Sequence, residues 1–441
     1  MESEMLTDDI RIAVIGNVDS GKSTLVGVLT KCVQDDGRGH ARSLVFNYAH
    51  EQANGRTSSI AQEIMGFNDQ GMQVIPDRIT ESKNKTWQPI VEKSKHLITF
   101  LDLCGHEKYL KTTIFGLVGL MPDYAMIVIG ANMGITRMTK EHIGLAISLK
   151  VPIFFIITKI DIAPKNVFDS TLEMLQKIMR SPAAGSRMPM VATQENIVEL
   201  SSLIESKCCP IFIVSNVTGE GIPVLKSFLN TLKTRVNSSG MFGPPEAPTE
   251  FLIDGVFMVT GVGLVVSGIL RAGTTTVGQM LNLGPDSTGN FKPVQVKGIH
   301  HKRVPIDKAT SGMSVSLNIK AIAKKDVLKK SSYKKGMVLI DKDLCPETVW
   351  EFEAEVVILH HATTIRQNYQ PIIHCGVVRQ AANVIEMSNE LLRSGDKGTI
   401  KFRFAYRPEI MHTGMHILFR EGRTKGLGEV RKIIPISNPH N

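Results

Sequence analysis

A glycine-rich loop near the start of the chain has the residue types and spacing that bind phosphate. Residues 16–23 read GNVDSGKS, which satisfies the pattern G-x-x-x-x-G-K-[ST] at every fixed position. The two glycines let the backbone turn tightly, so that successive N–H groups face inward around an anion. Lys22 is expected to reach the β- and γ-phosphates of a nucleotide, and the Ser23 hydroxyl to ligate Mg²⁺. The pattern predicts a nucleoside triphosphate site rather than a chance glycine turn, with contacts from Gly16, Asn17, Val18, Asp19, Ser20, Gly21, Lys22, Ser23 and Thr24.

A second group of reactive residues follows an apolar run later in the chain. The run HLITFLDL, residues 96–103, predicts a strand that delivers Asp102 at its end, and Gly105 and His106 follow. An aspartate here can hold the Mg²⁺ shell, and the Gly105 N–H can bond the γ-phosphate. His106 is placed to orient the attacking water, the role that glutamine has in Ras-type enzymes. Alone, Asp102 fits a strand-end turn and His106 a helix start, but beside the phosphate loop we predict Lys22, Gly105 and His106 as catalytic residues.

The stretch between these two groups is polar, contains several glycines and lacks sustained periodicity. It covers residues 33–95, and a long irregular segment inside a compact domain is usually functional or disordered. After a phosphate loop, the functional form is a switch segment that the γ-phosphate and its Mg²⁺ hold in place. Thr57 is therefore the third predicted metal ligand, with Ser23 and Asp102. An exposed Ser/Thr loop is the alternative interpretation.

A third motif predicts which base is bound. The apolar run VPIFFIIT, residues 151–158, is followed by Lys159 and Asp161. A carboxylate at such a strand end can accept two hydrogen bonds, from guanine N1–H and from the exocyclic amine, whereas adenine offers no such donor pair. The backbone of residues 215–217 is placed to contact the guanine oxygen. The predicted ligand is therefore GTP or GDP, and the base-contacting residues are Thr158, Lys159, Asp161, Ser215, Asn216 and Val217.

Predicted strands alternate with helices through the first half of the chain. Residues 10–15, 124–130 and 151–158 are apolar runs, and residues 24–32 carry apolar residues at helical spacing. This alternation predicts a doubly wound, mostly parallel α/β sheet, which binds ligands at the carboxyl ends of its strands. After a linker rich in Gly, Pro and Ser at residues 237–249, short alternating runs are typical of β-barrels or sandwiches.

Length and composition limit the class of protein. The chain of 441 residues is too long for one hydrophobic core. No apolar run approaches a membrane span, and the acidic start MESEMLTDDI has no apolar core, so neither a membrane protein nor a signal peptide is expected. The six cysteines are scattered without C-x-x-C pairing, which favours a reduced cytoplasmic compartment over a zinc site or a disulfide framework.

The chain is basic, with a formal net charge of +9. Basic residues concentrate in 292–303 and 320–335, away from the phosphate loop. They mark either a nucleic-acid surface outside the nucleotide domain or an ordinary basic surface.

The ordered motifs resemble those of one family. GNVDSGKS, Thr57, DLCGH, TKID and SNV occur in the order found in translation-factor GTPases, and Asp19-Ser20 is similar to elongation factor 1-alpha. Residues 256–284 and 350–433 resemble the second and third domains of those factors. The segments GRTSS, GNFKPVQVKGIHHKR and HCGVVRQ make the chain most similar to the eukaryotic GTP-binding proteins akin to elongation factor 1-alpha.

The resemblance covers nearly all of residues 8–436 and implies a domain plan. It implies a GTPase domain over residues 1–236, the linker over 237–249, and β-barrels over 250–345 and 346–441. It also implies a cytoplasmic, monomeric, Mg²⁺-dependent GTPase that acts at the ribosome with aminoacyl-tRNA or a tRNA-shaped partner. Neither a membrane nor DNA is an expected partner.

Matching positions extend the resemblance to an RNA site. Asp254, Phe257 and His300 match positions of bacterial elongation factor Tu that line the pocket for the amino acid and the terminal adenosine. Phe257 would pack on the amino-acid side, Asp254 would approach the terminal sugar or base, and His300 the adenine. Glu421 and Gly422 match its T-stem contact region. The alternative is that all five are ordinary barrel residues, since a strand phenylalanine more often belongs to the core.

The chain also departs from the family pattern. Thr158 replaces an asparagine whose carboxamide ties neighbouring loops together; a hydroxyl can supply part of that tie, so guanine preference is expected to survive with altered affinity. Arg56 replaces the isoleucine before the switch threonine. That isoleucine forms half of an apolar gate near the catalytic histidine, and Val18 matches the other half, so the resemblance leaves the control of hydrolysis open.

Three classes of function follow. The first is delivery of aminoacyl-tRNA, which Asp254, Phe257 and His300 motivate. The second is a rescue or surveillance GTPase that carries a tRNA-mimicking protein. The third is a regulatory GTPase without an RNA partner, which the three-domain resemblance disfavours.

Overall fold

The computed structural model divides the chain into two compact units whose main boundary lies between Arg235 and Val236. None of the helices that the structure describes is both long and apolar enough to span a membrane. The described residues are 8–55, 57–76, 83–206, 208–323, 328, 330–344, 348–360, 363–421 and 424–435.

The first unit is built around an eight-stranded sheet. Its strands are β1 (Asp8–Gly16), β2 (Ala61–Phe67), β3 (Gln73–Val74), β4 (His96–Asp102), β5 (Tyr124–Gly130), β6 (Ile153–Thr158), β7 (Met188–Val191) and β8 (Cys208–Ile213). They lie in the order β3-β2-β4-β1-β5-β6-β8-β7, with only β2 and β3 antiparallel to their neighbours. The helices are α1 (Lys22–Lys31), α2 (His40–Ser43), α3 (Ala49–Asn54), α4 (Lys83–Lys93), α5 (Leu110–Val118), α6 (Arg137–Ser148), α7 (Lys165–Arg180), α8 (Ile197–Leu203) and α9 (Ile222–Thr231).

The predicted doubly wound, mostly parallel α/β sheet is confirmed. Every residue of β5 and β6 is buried, as expected for parallel strands that are covered on both faces. Because β1, β4 and β6 run parallel, Gly16, Asp102 and Thr158 reach the same edge of the sheet. The fold therefore places the three predicted motifs side by side.

The prediction that residues 33–95 are irregular was wrong. This stretch contains β2, α4 and two shorter helices. β2 is not evident from periodicity, because all but one of its residues are buried. It forms by pairing with β4 along its whole length, from Ala61 opposite Asp102 to Phe67 opposite His96. This long-range pairing overrides the weak local pattern.

The second unit contains the two predicted β-barrels, each closed by six strands. The first barrel closes in the order β12-β17-β9-β10-β16-β13, with β14 beside β13 and a separate β11–β15 ribbon, and the second in the order β18-β21-β20-β19-β22-β23. The strands are β9 (Glu250–Val259), β10 (Gly263–Ala272), β11 (Thr274–Thr276), β12 (Met280–Gly284), β13 (Lys292–His301), β14 (Val304–Ile306), β15 (Lys308–Thr310), β16 (Ser314–Ala321), β17 (Val338–Asp341), β18 (Val349–His360), β19 (Ile372–Cys375), β20 (Val378–Met387), β21 (Lys397–Phe404), β22 (His416–Glu421) and β23 (Thr424–Pro435). The boundary predicted between residues 345 and 346 lies outside the described residues.

A half-buried carboxylate links the two barrels. Glu250, the first residue of β9, pairs with Arg271 on β10 and accepts from His412 Nε2 of the second barrel at 3.5 Å. Burial opposes the charge of Glu250, but the bonds from His412 and Arg271 outweigh it and lower its pKa from 4.5 to about 2. The ionised carboxylate therefore stabilises the fold above pH 4.5, and this contribution is lost as the pH falls towards 2.

Replacing Glu250 with glutamine is expected to destabilise the barrels by roughly 3 kcal/mol at neutral pH. The difference from the wild type should shrink as the pH falls below 4.5 and vanish below pH 2, where Glu250 is protonated and both proteins are uncharged at this position. Urea unfolding across this pH range measures the effect, and the exposed Glu246→Gln is the matched control. A constant difference at all pH values would contradict the assigned charge.

Candidate nucleotide site

The phosphate loop leaves β1 at Gly16 and enters α1 at Lys22. Gly16 has a φ of 154°, and a Cβ there would lie 2.2 Å from the carbonyl oxygen of Val128 on β5. Gly21 caps α1 in the left-handed region, with a φ of 86°. Glycine is required at both positions, at the first for space and at the second for backbone conformation. The loop thus wraps the N-terminus of α1, where free N–H groups and the helix dipole favour an anion.

Lys22 lies inside this loop and is buried. Its Nζ donates to the carbonyl oxygen of Asn17 at 2.7 Å. Burial lowers the pKa of Lys22, and the negative charge of Asp102 opposes that shift. The backbone of Gly105 packs directly on the lysine, since a Cβ at Gly105 would lie 2.5 Å from Lys22 Nζ. A larger residue at 105 would displace the lysine.

Ser23, Thr57 and Asp102 meet beside the loop. Ser23 Oγ donates to Asp102 Oδ2 at 2.6 Å, and Thr57 Oγ1 lies 2.9 Å from Ser23 Oγ and 3.3 Å from Asp102 Oδ2. Burial raises the pKa of Asp102 to about 6, although the Lys22 charge lowers it. No described residue bonds Asp102 Oδ1, which is buried. Two hydroxyls and a carboxylate with a buried, unsatisfied oxygen are a donor set that fits Mg²⁺.

The described residues contain no other candidate metal cluster. Among the residues that the structure describes, no group of three or more His, Cys, Asp or Glu side chains is arranged to hold an ion. The Ser23–Thr57–Asp102 cluster is not such a group, because two of its three side chains are hydroxyls rather than His, Cys, Asp or Glu.

Glu51 on α3 organises the segment that carries Thr57, a role that no sequence pattern indicates. Its buried Oε1 accepts from the N–H and hydroxyl groups of both Ser58 and Ser59, at 2.8 to 3.2 Å. Burial acts to raise the pKa of Glu51, but the bonds from Ser58 and Ser59 prevail and lower it. This carboxylate fixes the backbone immediately after Thr57, and so places the threonine beside Ser23 and Asp102.

Replacing Glu51 with alanine is expected to release this segment and to lower the preference for GTP over GDP by about tenfold, the loss of roughly one charged hydrogen bond. The reason is that Thr57 would then close on the γ-phosphate end less often. Equilibrium binding of fluorescent GTP and GDP analogues measures the ratio. The exposed neighbour Gln52→Ala is the control, and an unchanged ratio in Glu51→Ala would refute the assigned role.

A cavity of about 440 Å³ opens beside the loop, here named the phosphate cavity. Its charged lining is mostly cationic, with Asp19 the one carboxylate among the described lining residues, which suits a polyanion. The lining residues are Val18, Asp19, Gly21, Lys22, Ser23, Thr24, Arg42, His50, Asn54, Gly55, Thr57, Ser58, Gly105, His106, Lys108 and Tyr109.

His106 lies exposed at this cavity. Its Nδ1 accepts from the backbone N–H of Lys108 at 3.0 Å. A neutral imidazole that accepts at Nδ1 carries its proton on Nε2. The side chain can therefore donate from Nε2 to a water oxygen, which orients the water rather than deprotonating it. Arg56, which replaces the isoleucine of the family's apolar gate, lies outside the described residues.

Four of the six residues predicted to contact the base line a second cavity of about 210 Å³, here named the base cavity; Thr158 and Ser215 do not line it. Ser215 Oγ donates to Asp161 Oδ1 at 2.7 Å and accepts from the Val217 N–H at 3.2 Å, which fixes the carboxylate beside the 215–217 loop. Thr158 Oγ1 donates to the Ser20 carbonyl at 2.7 Å and so ties the strand end to the phosphate loop. The base cavity is lined by Asp19, Gly21, Thr24, Asp35, Gly37, Arg38, Gly39, Arg42, Lys159, Asp161, Ile162, Asn216 and Val217.

The two cavities share Asp19, Gly21, Thr24 and Arg42, so one ligand can occupy both. Residues 8–238 match the family described as "Elongation factor Tu GTP binding domain". The chain belongs to this family. Its first unit is therefore an elongation factor Tu-type GTPase domain, and GTP or GDP is the nucleotide that the two cavities suit.

Similar proteins match along nearly the whole chain. The chain is 45% identical to "GTP-binding protein 1" of Xenopus laevis, covering 98% of this chain and 64% of that protein. It is 40% identical to "GTP-binding protein 2" of Homo sapiens, covering 97% and 70%. Translation elongation factor SelB from Methanococcus maripaludis, solved with the GTP analogue GppNHp, shares the fold with a TM-score of 0.67 at 18% identity, covering 97% of this chain and 80% of that one. The chain thus spans about two thirds of the length of the first two relatives.

Outside the GTPase domain, the predicted RNA-contacting residues lie on the barrels. Asp254 sits at a register shift of β9 and accepts from Ser267 Oγ at 2.5 Å. Phe257 is 50% exposed, so it is not a core residue of the first barrel. His300 on β13 is also exposed, and Glu421 ends β22 of the second barrel, exposed. Gly422 lies outside the described residues.

Proposed function

We propose that the protein binds GTP together with Mg²⁺ and hydrolyses the GTP to GDP and phosphate. The observation that carries this proposal is the pair of joined cavities, with Lys22 in one and Asp161 in the other. Ser23, Thr57 and Asp102 would hold the Mg²⁺, which when bound supplies positive charge to the β- and γ-phosphate oxygens.

Hydrolysis is an in-line displacement at the γ-phosphorus. The oxygen of a water forms a bond to phosphorus, the bond from phosphorus to the bridging oxygen breaks, and GDP leaves while the water proton passes to the phosphate product. His106 orients the water through Nε2–H, and Lys22 and the Gly105 N–H bind the charged γ-phosphate oxygens. When phosphate leaves, Thr57 loses its partner and the segment fixed by Glu51 is free to relax.

For the partner, we propose aminoacyl-tRNA, bound on the outer face of the first barrel. Across this face, Gly255 lies opposite Ser267, Ser267 opposite Ser316, and Ser316 opposite His300. These small residues lie in register between Phe257 and His300, which are both exposed. The Phe257 ring lies over Gly255, where a Cβ would meet it at 2.8 Å. A ring on a glycine floor is a stacking platform for a base or an apolar amino-acid side chain.

A protection assay tests this partner. Full-length protein with GTP is mixed with phenylalanyl-tRNA, and the half-life of the ester is measured. Protection is expected in the wild type and in Tyr406→Ala, which removes an exposed ring from the second barrel, and should be lost in Phe257→Ala. If affinity is the same with and without the acyl group and decreases steeply with salt concentration, the protein is attracted only to the phosphate backbone of the RNA. That result would overturn aminoacyl-tRNA delivery. Binding of a tRNA-mimicking protein in its place would favour a rescue GTPase.

Ribosomes are the proposed activator in the cytoplasm. His106 is exposed, and its side chain is held by the Lys108 N–H and by an edge contact with the Tyr109 ring, so intrinsic turnover should be slow until a partner orders it. Rapid GTP hydrolysis by the purified protein, without further stimulation by ribosomes, would contradict this control.

A further inference from the structure

Arg42 on α2 lies where the phosphate cavity and the base cavity meet. The mechanism above gives this cation no role. It is one of the four residues that line both the phosphate cavity and the base cavity. Of the other three, Asp19 and Gly21 belong to the phosphate loop and Thr24 to the first turn of α1. Arg42 therefore reaches the nucleotide site from outside that loop, at the place between the base and the terminal phosphate.

The guanidinium of Arg42 is held between two glycines. A Cβ at Gly39 would lie 2.3 Å from Arg42 Nε, and a Cβ at Gly55 would lie 3.1 Å from Arg42 Nη2. Both glycines have positive φ, at 98° and 62°, so a side chain is disfavoured there by conformation as well as by space. The backbone at Gly39 and at Gly55 thus leaves room for a planar guanidinium between them. Gly55 lies two residues before Thr57 of the proposed metal site.

No protein group neutralises this cation in the part of the chain that the structure describes. Arg42 is half-buried, yet no carboxylate or carbonyl there accepts a hydrogen bond from its guanidinium. A partly desolvated arginine without an acceptor is unfavourable unless an anion from outside completes the site. In a cavity built for a nucleotide, the available anion is the phosphate chain.

We propose that Arg42 binds phosphate oxygens of the bound guanine nucleotide where the two cavities meet, and so acts as a second phosphate-binding cation beside Lys22. This proposal rests on the GTP site proposed above. Because the junction lies between the base and the γ-phosphate end, Arg42 contacts a part of the nucleotide that GTP and GDP share. A planar fork can donate two parallel bonds to phosphate, which lysine cannot.

Nucleotide affinity of the full chain tests the proposal. Arg42→Ala is expected to bind fluorescent GTP and GDP analogues each about 10- to 100-fold more weakly, the range for one charged hydrogen-bonding group. Arg42→Lys should recover part of the loss. Millimolar guanidinium chloride should restore affinity to Arg42→Ala and leave the wild type unchanged, which a purely structural role would not produce. Arg180→Ala, an exposed arginine on α7, is the matched control and should bind both nucleotides normally.

The outcomes separate this proposal from the GTP site itself. If the wild type binds neither nucleotide, the proposed GTPase function fails. If the wild type binds both and Arg42→Ala binds them equally well, only the role of Arg42 fails. A loss of affinity that guanidinium does not restore, accompanied by a lower unfolding temperature, would make Arg42 a packing residue and would also overturn the proposal.

Discussion

Replacing His106 with alanine is expected to slow GTP hydrolysis by about 100- to 1,000-fold, the usual effect of losing one donor that acts at the reacting centre. Affinity for GTP and GDP should remain within about twofold, because His106 is exposed at the cavity and bonds the Lys108 N–H rather than a group of the phosphate loop. Single-turnover hydrolysis with ribosomes, beside equilibrium binding, measures both quantities.

The substitution His106→Gln sharpens this test. Glutamine can still donate a hydrogen bond to water, so it should retain part of the rate, whereas alanine should not. His40→Ala removes an exposed histidine that lines neither cavity and serves as the control. Equal loss of binding and hydrolysis in His106→Ala would place the histidine in nucleotide binding and remove it from water orientation.

Replacing Asp161 with asparagine is expected to weaken GTP binding by about 100- to 1,000-fold, since two hydrogen bonds to a charged acceptor are lost. The same variant should bind xanthosine triphosphate more tightly than GTP. Xanthine carries an oxygen in place of the guanine amine, which repels a carboxylate and accepts from an amide. The fold should survive, because the amide oxygen can still accept from Ser215 Oγ.

Competition between GTP and xanthosine triphosphate against a fluorescent nucleotide measures this reversal of base preference. Ser215→Ala is an informative companion, since it removes the 2.7 Å bond that orients Asp161 but keeps the carboxylate. It should weaken GTP binding less than Asp161→Asn and should not reverse the preference. If Asp161→Asn still prefers GTP over xanthosine triphosphate, another residue reads the base.

The sequence was sufficient for those features that depend on short stretches of chain. The phosphate loop, the strand ends at Asp102 and Thr158, and the alternation of strands and helices are local patterns, and the fold they predict is the one observed. Parallel strands bring their carboxyl ends to one edge, so placing the motifs at strand ends was enough to place them together. The alternating runs after the linker left barrels and sandwiches both open, and the resemblance to a family was needed to predict two barrels.

Tertiary structure alone decided the features that join distant residues. Thr57 was predicted as a metal ligand, but the contacts that it makes with Ser23 and Asp102, 34 and 45 positions away along the chain, follow from no local pattern. The same is true of the four bonds from Ser58 and Ser59 to Glu51. In the sequence, nothing distinguishes Arg42 from the other basic residues. Its place between Gly39 and Gly55, where the two cavities meet, is known only from the structure. The physical reason is that a motif fixes the backbone over a few residues, whereas the partner of a buried charge is set by packing between segments. The phosphate loop and its predicted partners were therefore accessible from sequence, whereas the roles of Glu51 and Arg42 were not.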